Sequence, residues 1–487
     1  MRFASLKAAL TATAVALALA WSALLASWHL QGRASPLDRF EAPLADLRFL
    51  VGGPRPAPQD VVIVAIDDET VREAGRYPLS RTRMARLVRT LAQHRPKVIA
   101  LDVLFLDPAA PEADQALADA LRDGPAAIAA AAIFPAGGSA LEDGDDLANA
   151  PIAERVMWPV ERLRQAAAVG AANLSTDASG TPRHVPLLVR DRDGVVPSLA
   201  LRATMVAAGK DAVLARGAIE VGDARIATDL GYHMPLRFYG PRGTIRTISA
   251  ARILRGEAPA AELRGRIVVV GATATGTSDS FATPFDPVLP GVEVLATAVG
   301  NIVAGDALVR SPAVRRADAA AAVVLAVAAV VLLSLRRIGL GLWLLGAGAA
   351  LWMAVAVAAF SAGIWLSMAL PVAAAMPPAL VFAAARLALD RRAERRLETA
   401  QAALRRFQPQ ALADQLVAAP DFLLKPVRQE AAVLFVDLSG FTGVSERIGP
   451  ERTRDLLKAL HSVVEAEVTA HGGLVLSFMG DGAMIVF

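Results

Sequence analysis

The sequence predicts a multi-domain membrane protein: four transmembrane helices, an α/β domain between the first and second of them, and a strand, helix and hairpin after the fourth. Three observations predict it. Hydrophobic residues make up 54% of the chain and charged residues 20%, with a mean hydropathy of +0.43, so part of the chain must be shielded by lipid. Four long apolar runs have no charge in their interiors. Between the first two, wholly apolar strands alternate with amphipathic helices, the pattern of a parallel sheet covered on both faces. The net charge of +3 gives no support to nucleic-acid binding, and the absence of cysteine excludes disulfides, thiolate metal sites and cysteine nucleophiles.

From Ala8 to Trp28 no residue is charged. About 20 apolar residues at 1.5 Å each cross a hydrocarbon core roughly 30 Å thick. A cleaved signal peptide is the alternative, given small residues near Ala18 and Ala20, but the run is long for one, which favours an uncleaved anchor over 1–30. Three further spans follow at 317–335, with Asp318 at its edge, 338–360 and 364–385. The last carries Pro371, Pro377 and Pro378, tolerated in lipid where neighbours satisfy the freed carbonyls.

Positively charged short loops stay cytoplasmic. Arg2 and Lys7, then Arg336 and Arg337, then Arg386, Arg391, Arg392, Arg395 and Arg396 fall where four spans place them on one side. Residues 31–310 are then extracytoplasmic and everything after Arg386 is cytoplasmic. The uncharged spans leave a transporter or channel little to work with.

In the long outer segment, VVIVAIDDE, KVIALDVLF and RIVVVGATATGTSD read as buried strands. Ser80 to His94 reads as a helix, with Met84, Leu87, Val88 and Leu91 on one face, and GVEVLATAVGNIVAG as another. Asp67, Asp102 and Asp279 fall at or near the carboxyl ends of the strands, where open α/β sheets tend to place ligands. They bind a small cation or polar ligand, or they cap helices and pair with arginines such as Arg81; the second reading is favoured. His29, His94, His184 and His233 lack metal-ligand spacing and read as ordinary surface or core histidines. The runs VVIVAIDDE, YPLSRTRMARLV, KVIALDVLF, NLSTDASGTPRHVPL, LRGRIVVVGATATGTSD and PGVEVLATAV resemble the type-two CHASE sensor domain over about 36–310. That resemblance implies sensing of an extracytoplasmic ligand of unknown identity by a receptor of the bacterial inner membrane.

After the fourth span, 386–425 reads as a cytoplasmic helical linker. Ala393, Leu397, Ala400, Leu404 and Phe407 form a short seam for a parallel partner helix, or are incidental on a solvated one.

Residues 426–487 carry the chemistry. AAVLFV is a strand running into Asp437, followed by a turn at Ser439 and Gly440. Backbone amides of Gly440, Phe441 and Thr442 would face what sits beside that carboxylate, as a phosphate cradle does. A long helix starts near Pro450 and ends at Gly472 and Gly473, and LVLSF and AMIVF form a hairpin with Asp481 at its tip. Two aspartates on neighbouring strands suit a two-metal phosphoryl-transfer site, although both also have common structural uses in turns.

VLFVDLSGFT, the long helix, HGG and FMGDGAMIVF together resemble the first half of a class III adenylyl or guanylyl cyclase, a ferredoxin-like α+β domain. FQPQALADQLV resembles the segment leading into it. The resemblance implies that Asp437 and Asp481 are catalytic and hold two Mg²⁺ or Mn²⁺ ions. It implies phosphate contacts from Phe441 and Thr442, and cyclisation of a nucleoside triphosphate, ATP ahead of GTP, to cyclic AMP with release of pyrophosphate. It also implies a homodimer, because the family's active site is shared. At the purine-selecting position, commonly lysine, this chain has Ser477, which brings no charge and does not itself choose ATP over GTP. The family's second purine-selecting residue, its asparagine and its arginine would follow Phe487. The segment is therefore expected, as part of a truncated product, neither to pack stably nor to catalyse unaided. The leading reading is a receptor cyclase; the rival is a non-catalytic receptor whose cyclase-like remnant binds nucleotide or dimerises.

Overall fold

The computed structural model describes residues 2–33, 35–135, 150–177, 179–192, 194–215, 217–257, 260–277, 279–335, 337–405 and 430–487. They form two units, Met1–Ala383 and Ala384–Phe487.

In the first unit the chain enters through α1 (Arg2–Leu30) and turns into α2 (Asp38–Gly52). Alternating burial then decides the architecture. Every residue of β1 (Val61–Ile66) is buried, but Val61, Ile63 and Ala65 enter one core and Val62, Val64 and Ile66 the other. A strand with two buried faces needs helices on both sides. Next come α3 (Asp68–Ala74), α4 (Arg81–Gln93), β2 (Val98–Leu104), α5 (Pro111–Arg122), β3 (Ala126–Ile133), β4 (Ala168–Ala171) and α6 (Leu199–Ala208). The layer is completed by β5 (Thr247–Ser249), β6 (Ile267–Ala272) and α7 (Gly291–Ala304). The strands pair in parallel in the order β5-β1-β6-β2-β3-β4, and Arg155–Met157 adds an antiparallel piece against the far end of β3.

One face is covered by α4 and α5 through Met84, Leu87, Leu91, Leu117 and Leu121. The other is covered by α6 and α7 through Leu199, Leu201, Val292 and Val299. Each such aliphatic side chain contributes roughly 1.5–3 kcal/mol by leaving water. Close approach of α7 depends on Gly271, where an added Cβ would lie 2.6 Å from Val292 Cγ2.

Four helices are long and apolar enough to cross a membrane: Leu6–Leu30, Pro312–Ser334, Ile338–Ser361 and Ala369–Thr399. The last three lie in α8 (Pro312–Ser334), α9 (Ile338–Ser361) and α10 (Ala369–Arg405). Small residues let α1 and α8 approach closely, with Ala18, Ala322, Ala326 and Ala329 all fully buried. The fourth helix starts at Ala369, five residues after the start of the apolar run. Residues 364–368 are instead stitched to the chain after α7, Val309 N–H donating to Gly363 O and Trp365 N–H to Val309 O. Pro377 and Pro378 sit inside α10 without ending it. Leu397 of the expected seam is exposed, whereas Phe407, the side chains of Ala400 and Leu404, and the FQPQALADQLV stretch lie outside the described residues.

The second unit holds β7 (Val433–Asp437), α11 (Phe441–Ala470), β8 (Leu474–Met479) and β9 (Gly482–Val486), with antiparallel strands in the order β7-β9-β8. The helix breaks at Gly449, whose φ of 79° is left-handed, and resumes at Pro450, whose fixed φ suits a first turn. Its core is small: Val468, Val475, Ala483 and Ile485.

Candidate functional site

The site residues of the second unit are brought together by strand register. Asp437 ends β7 and faces Gly482, the first residue of β9, so Asp481, one residue earlier, lies at the same edge of the sheet. Gly480, at φ 68°, makes the two-residue turn from β8 possible. Opposite Asp437 stands Gly482, where a Cβ would sit 3.5 Å from Asp437 Oδ1, in ordinary van der Waals contact. Among the described residues the side chains of Asp437 and Asp481 have no hydrogen-bond or ion-pair partner, Asp437 being paired with Gly482 through its backbone.

Gly440, at φ 82°, turns the chain from β7 into α11. The Phe441 amide is taken up within that turn, donating to Leu438 O at 3.2 Å, and Thr442 is exposed. Ser477 lies exposed on β8 beside a bulge and pairs with Met484. Sequence reasoning missed His461. Its ring stacks on Phe478 at 4.0 Å and its Nε2 lies 3.1 Å from Gly480 O, tying α11 to the turn that carries Asp481. The available signal was a polar residue in line with Leu457, Val464 and Val468 on the helix's apolar face.

The three aspartates of the α/β domain separate into two roles. Asp67 caps α3, accepting from Thr70 N at 2.9 Å and from the Ser249 hydroxyl at 3.0 Å. Arg81 pairs with Asp114 and lies over the Phe105 ring, so it serves neither of the other two acids. Asp102 keeps a little exposure at the end of β2 but is crowded by protein. Burial first, and then the Asp279 carboxylate, push its pKa up to about 6. The same surroundings raise Tyr77, through burial and then the charges of Asp102 and Asp279.

Two histidines read as ordinary prove to be placed at the junction between the α/β domain and the spans. His29 bonds Asp318 at 3.2 Å, and His184 stacks on Trp365 at 5.4 Å. Burial drives His184 down to about 3, with the nearby Asp229 charge opposing.

Adenylate cyclase 2 of Rhizobium meliloti (strain 1021) is 36% identical over 63 residues, which are 13% of this chain and 17% of that protein. The chain thus spans less than a fifth of that relative's length. No solved structure matches. A family profile described as the CHASE2 domain matches residues 15–336. That range takes in the whole parallel sheet, both helical layers, the second half of α1 and all of α8, about two thirds of the sequence, and the chain belongs to the CHASE2 domain family.

Proposed function

We propose that the chain is the receptor portion of a membrane nucleotidyl cyclase, an extracytoplasmic CHASE2 sensor joined through four spans to a cytoplasmic, metal-dependent cyclase segment. The carrying observation is the register that seats Asp437 against Gly482 and so brings Asp481 to the same sheet edge. The partial similarity to an adenylate cyclase supports the same reading. The arginine distribution supports the orientation.

The residues present fit a divalent cation. Two carboxylates without a side-chain partner among the described residues share one edge of the sheet, hard oxygen donors of the kind such ions take. Two Mg²⁺ or Mn²⁺ ions held there would supply positive charge to a triphosphate and to its ribose 3′-hydroxyl. Asp437 and Asp481 hold the ions, Gly440 and Thr442 at the start of α11 approach phosphate oxygens, and His461 fixes the turn bearing Asp481. Ser477 offers the base a neutral hydrogen-bonding group, with ATP proposed ahead of GTP.

The test is cyclic-nucleotide formation by membranes containing the protein expressed from its native reading frame, with Mn²⁺ or Mg²⁺ and ATP or GTP. Asp437→Ala and Asp481→Ala should each abolish it; activity near wild type in either variant overturns the metal assignment. The non-catalytic reading also has an observation in its favour. Val433, Leu434 and Phe435 on β7 are 51%, 49% and 66% exposed, an apolar open edge suited to pairing. Metal-dependent nucleotide binding without any cyclic product would select that reading.

A further inference from the structure

At the sensor-side ends of α1, α8 and α10, where they meet the α/β domain, lies a cavity of about 210 Å³, room for several waters. Its charged and polar walls include Arg33, Asp38, His184, Asp229, Arg310 and Arg315.

Three arginines line the cavity against two aspartates. Arg315 engages both oxygens of Asp229, donating from Nε at 2.6 Å and Nη2 at 2.7 Å, and it gives a third bond to His29 O. Asp38 is exposed and accepts from the Ser35 amide. Arg310 is left over. Its Nε stands 3.9 Å from Asp229 Oδ2, too far for a hydrogen bond, and its guanidinium lies 4.9 Å over the Trp365 ring. Its side chain is only 11% exposed, and among the described residues its Nε is the buried side-chain polar atom with no hydrogen-bond partner. None of its donors has a hydrogen-bond partner among the described residues, and its ion pair with Asp229 at 3.9 Å is shared with Arg315. His184, stacked on the same indole, stays neutral and adds no further positive charge.

A buried guanidinium with idle donors is costly unless an anion meets it, and its planar fork matches the oxygens of a phosphate. We propose that this cavity binds a phosphate group, with Arg310 as its principal ligand and Arg33 at its mouth. The group belongs either to a free inorganic or organic phosphate or to the headgroup of an anionic lipid, since the cavity sits at the ends of apolar helices where headgroups lie. Occupancy bears on the fourth span directly. Arg310 stacks on Trp365, whose indole N–H donates to Glu41, and Glu41 binds the first amides of α10. The site is therefore built to shift the packing of the spans as the phosphate comes and goes.

The experiment is thermal unfolding of the full chain in lipid nanodiscs, which reads binding without reference to cyclic nucleotide. In one arm inorganic phosphate is titrated against chloride of equal ionic strength in phosphatidylcholine discs. In the other, phosphatidylglycerol is added to the discs without phosphate. A saturable rise of the midpoint is expected; its appearance in the first arm alone identifies a free anion, and in the second alone a headgroup. Arg310→Gln should weaken the response by at least about tenfold, while its unliganded midpoint equals or exceeds wild type because the idle buried charge is gone. Arg310→Lys, which keeps the charge and loses the fork, should fall between the two. Arg316→Gln, next to Arg315 on α8 but exposed, should respond as wild type does. No saturable response in either arm, or an equal response from Arg310→Gln, overturns the proposal.

Discussion

Glu41 and Ala369 join the α/β domain to the fourth span: one carboxylate oxygen of Glu41 accepts from the backbone amides of Ala369 and of Met368, each at 2.9 Å. The same oxygen takes the Ser367 hydroxyl at 3.0 Å, and the other takes the Trp365 indole and the Arg48 guanidinium. A helix begins with amides that have no acceptor of their own, and here an acid from a different helix supplies one. Burial works to raise the Glu41 pKa, but Arg48 and the amide bonds outweigh it and hold it low.

Glu41→Gln should therefore destabilise the first unit by about 3–5 kcal/mol, because Arg48 is left as an uncompensated buried charge. Glu41→Gln combined with Arg48→Met removes the stranded charge and should recover part of the loss. Thermal unfolding of the wild type, Glu41→Gln, Arg48→Met and the double variant in nanodiscs gives the coupling between the two residues; strictly additive losses would contradict it.

Asp102 should lower stability at neutral pH. With a folded value of about 6 against an ordinary 3.8, the folded state holds the proton more tightly than the unfolded one. The resulting stabilisation is present below about 3.8 and is lost as pH rises through 6, which leaves a cost of about 3 kcal/mol at pH 7. Asp102→Asn should raise the unfolding midpoint at pH 7 and leave it unchanged at pH 3.5. A destabilised variant at pH 7 would mean that the carboxylate has a partner in solution.

His184 works in the opposite pH direction. Its folded value of about 3 lies below the ordinary 6.5, so the unfolded state takes up the proton first. Stability is complete above pH 6.5 and declines as pH falls toward 3, with Asp229, held near 2 although burial opposes it, adding a loss at lower pH still. His184→Phe keeps a ring on Trp365 and removes the titration, so the difference between its unfolding midpoint and that of the wild type should grow in the variant's favour as pH falls from 6.5 to 4, over and above the Asp102 contribution that both share.

Much of the sheet is legible in the sequence because its strands are aliphatic and bounded by helix signals. Ser80 caps α4, accepting from the Arg83 amide, and Gly305 ends α7 in the left-handed region. The strand at Ala126–Ile133 is not legible, because AAIAAAAI is mostly alanine, a residue depleted from strands, and only its place between β2 and β4 makes it one. Asp437 and Asp481 are found by motif and placed by register. Arg310, Trp365 and Glu41 escape sequence reading for a different reason. They are far apart in the chain, and each taken alone is an unremarked residue at the end of an apolar run or in a short helix. Their meaning comes from burial together, which no periodicity reports.

His461 supplies the last prediction, conditional on metal binding at Asp437 and Asp481. Its ring lies flat on Phe478 and its Nε2 meets Gly480 O, so it fixes the turn from one side while β9 fixes it from the other. It touches neither carboxylate and is a positioning residue. His461→Ala should leave the helix content of the protein intact, since alanine favours helices, and should free the Gly480 carbonyl. Mn²⁺ affinity, followed by paramagnetic broadening, should drop by about tenfold, equivalent to about 1.4 kcal/mol, because the second aspartate must then be ordered at the moment of binding. His461→Gln can still reach the carbonyl and should restore part of the affinity, which loss of packing alone would not predict. Equal Mn²⁺ affinity in wild type and His461→Ala would show that the β8–β9 turn holds its shape without the helix.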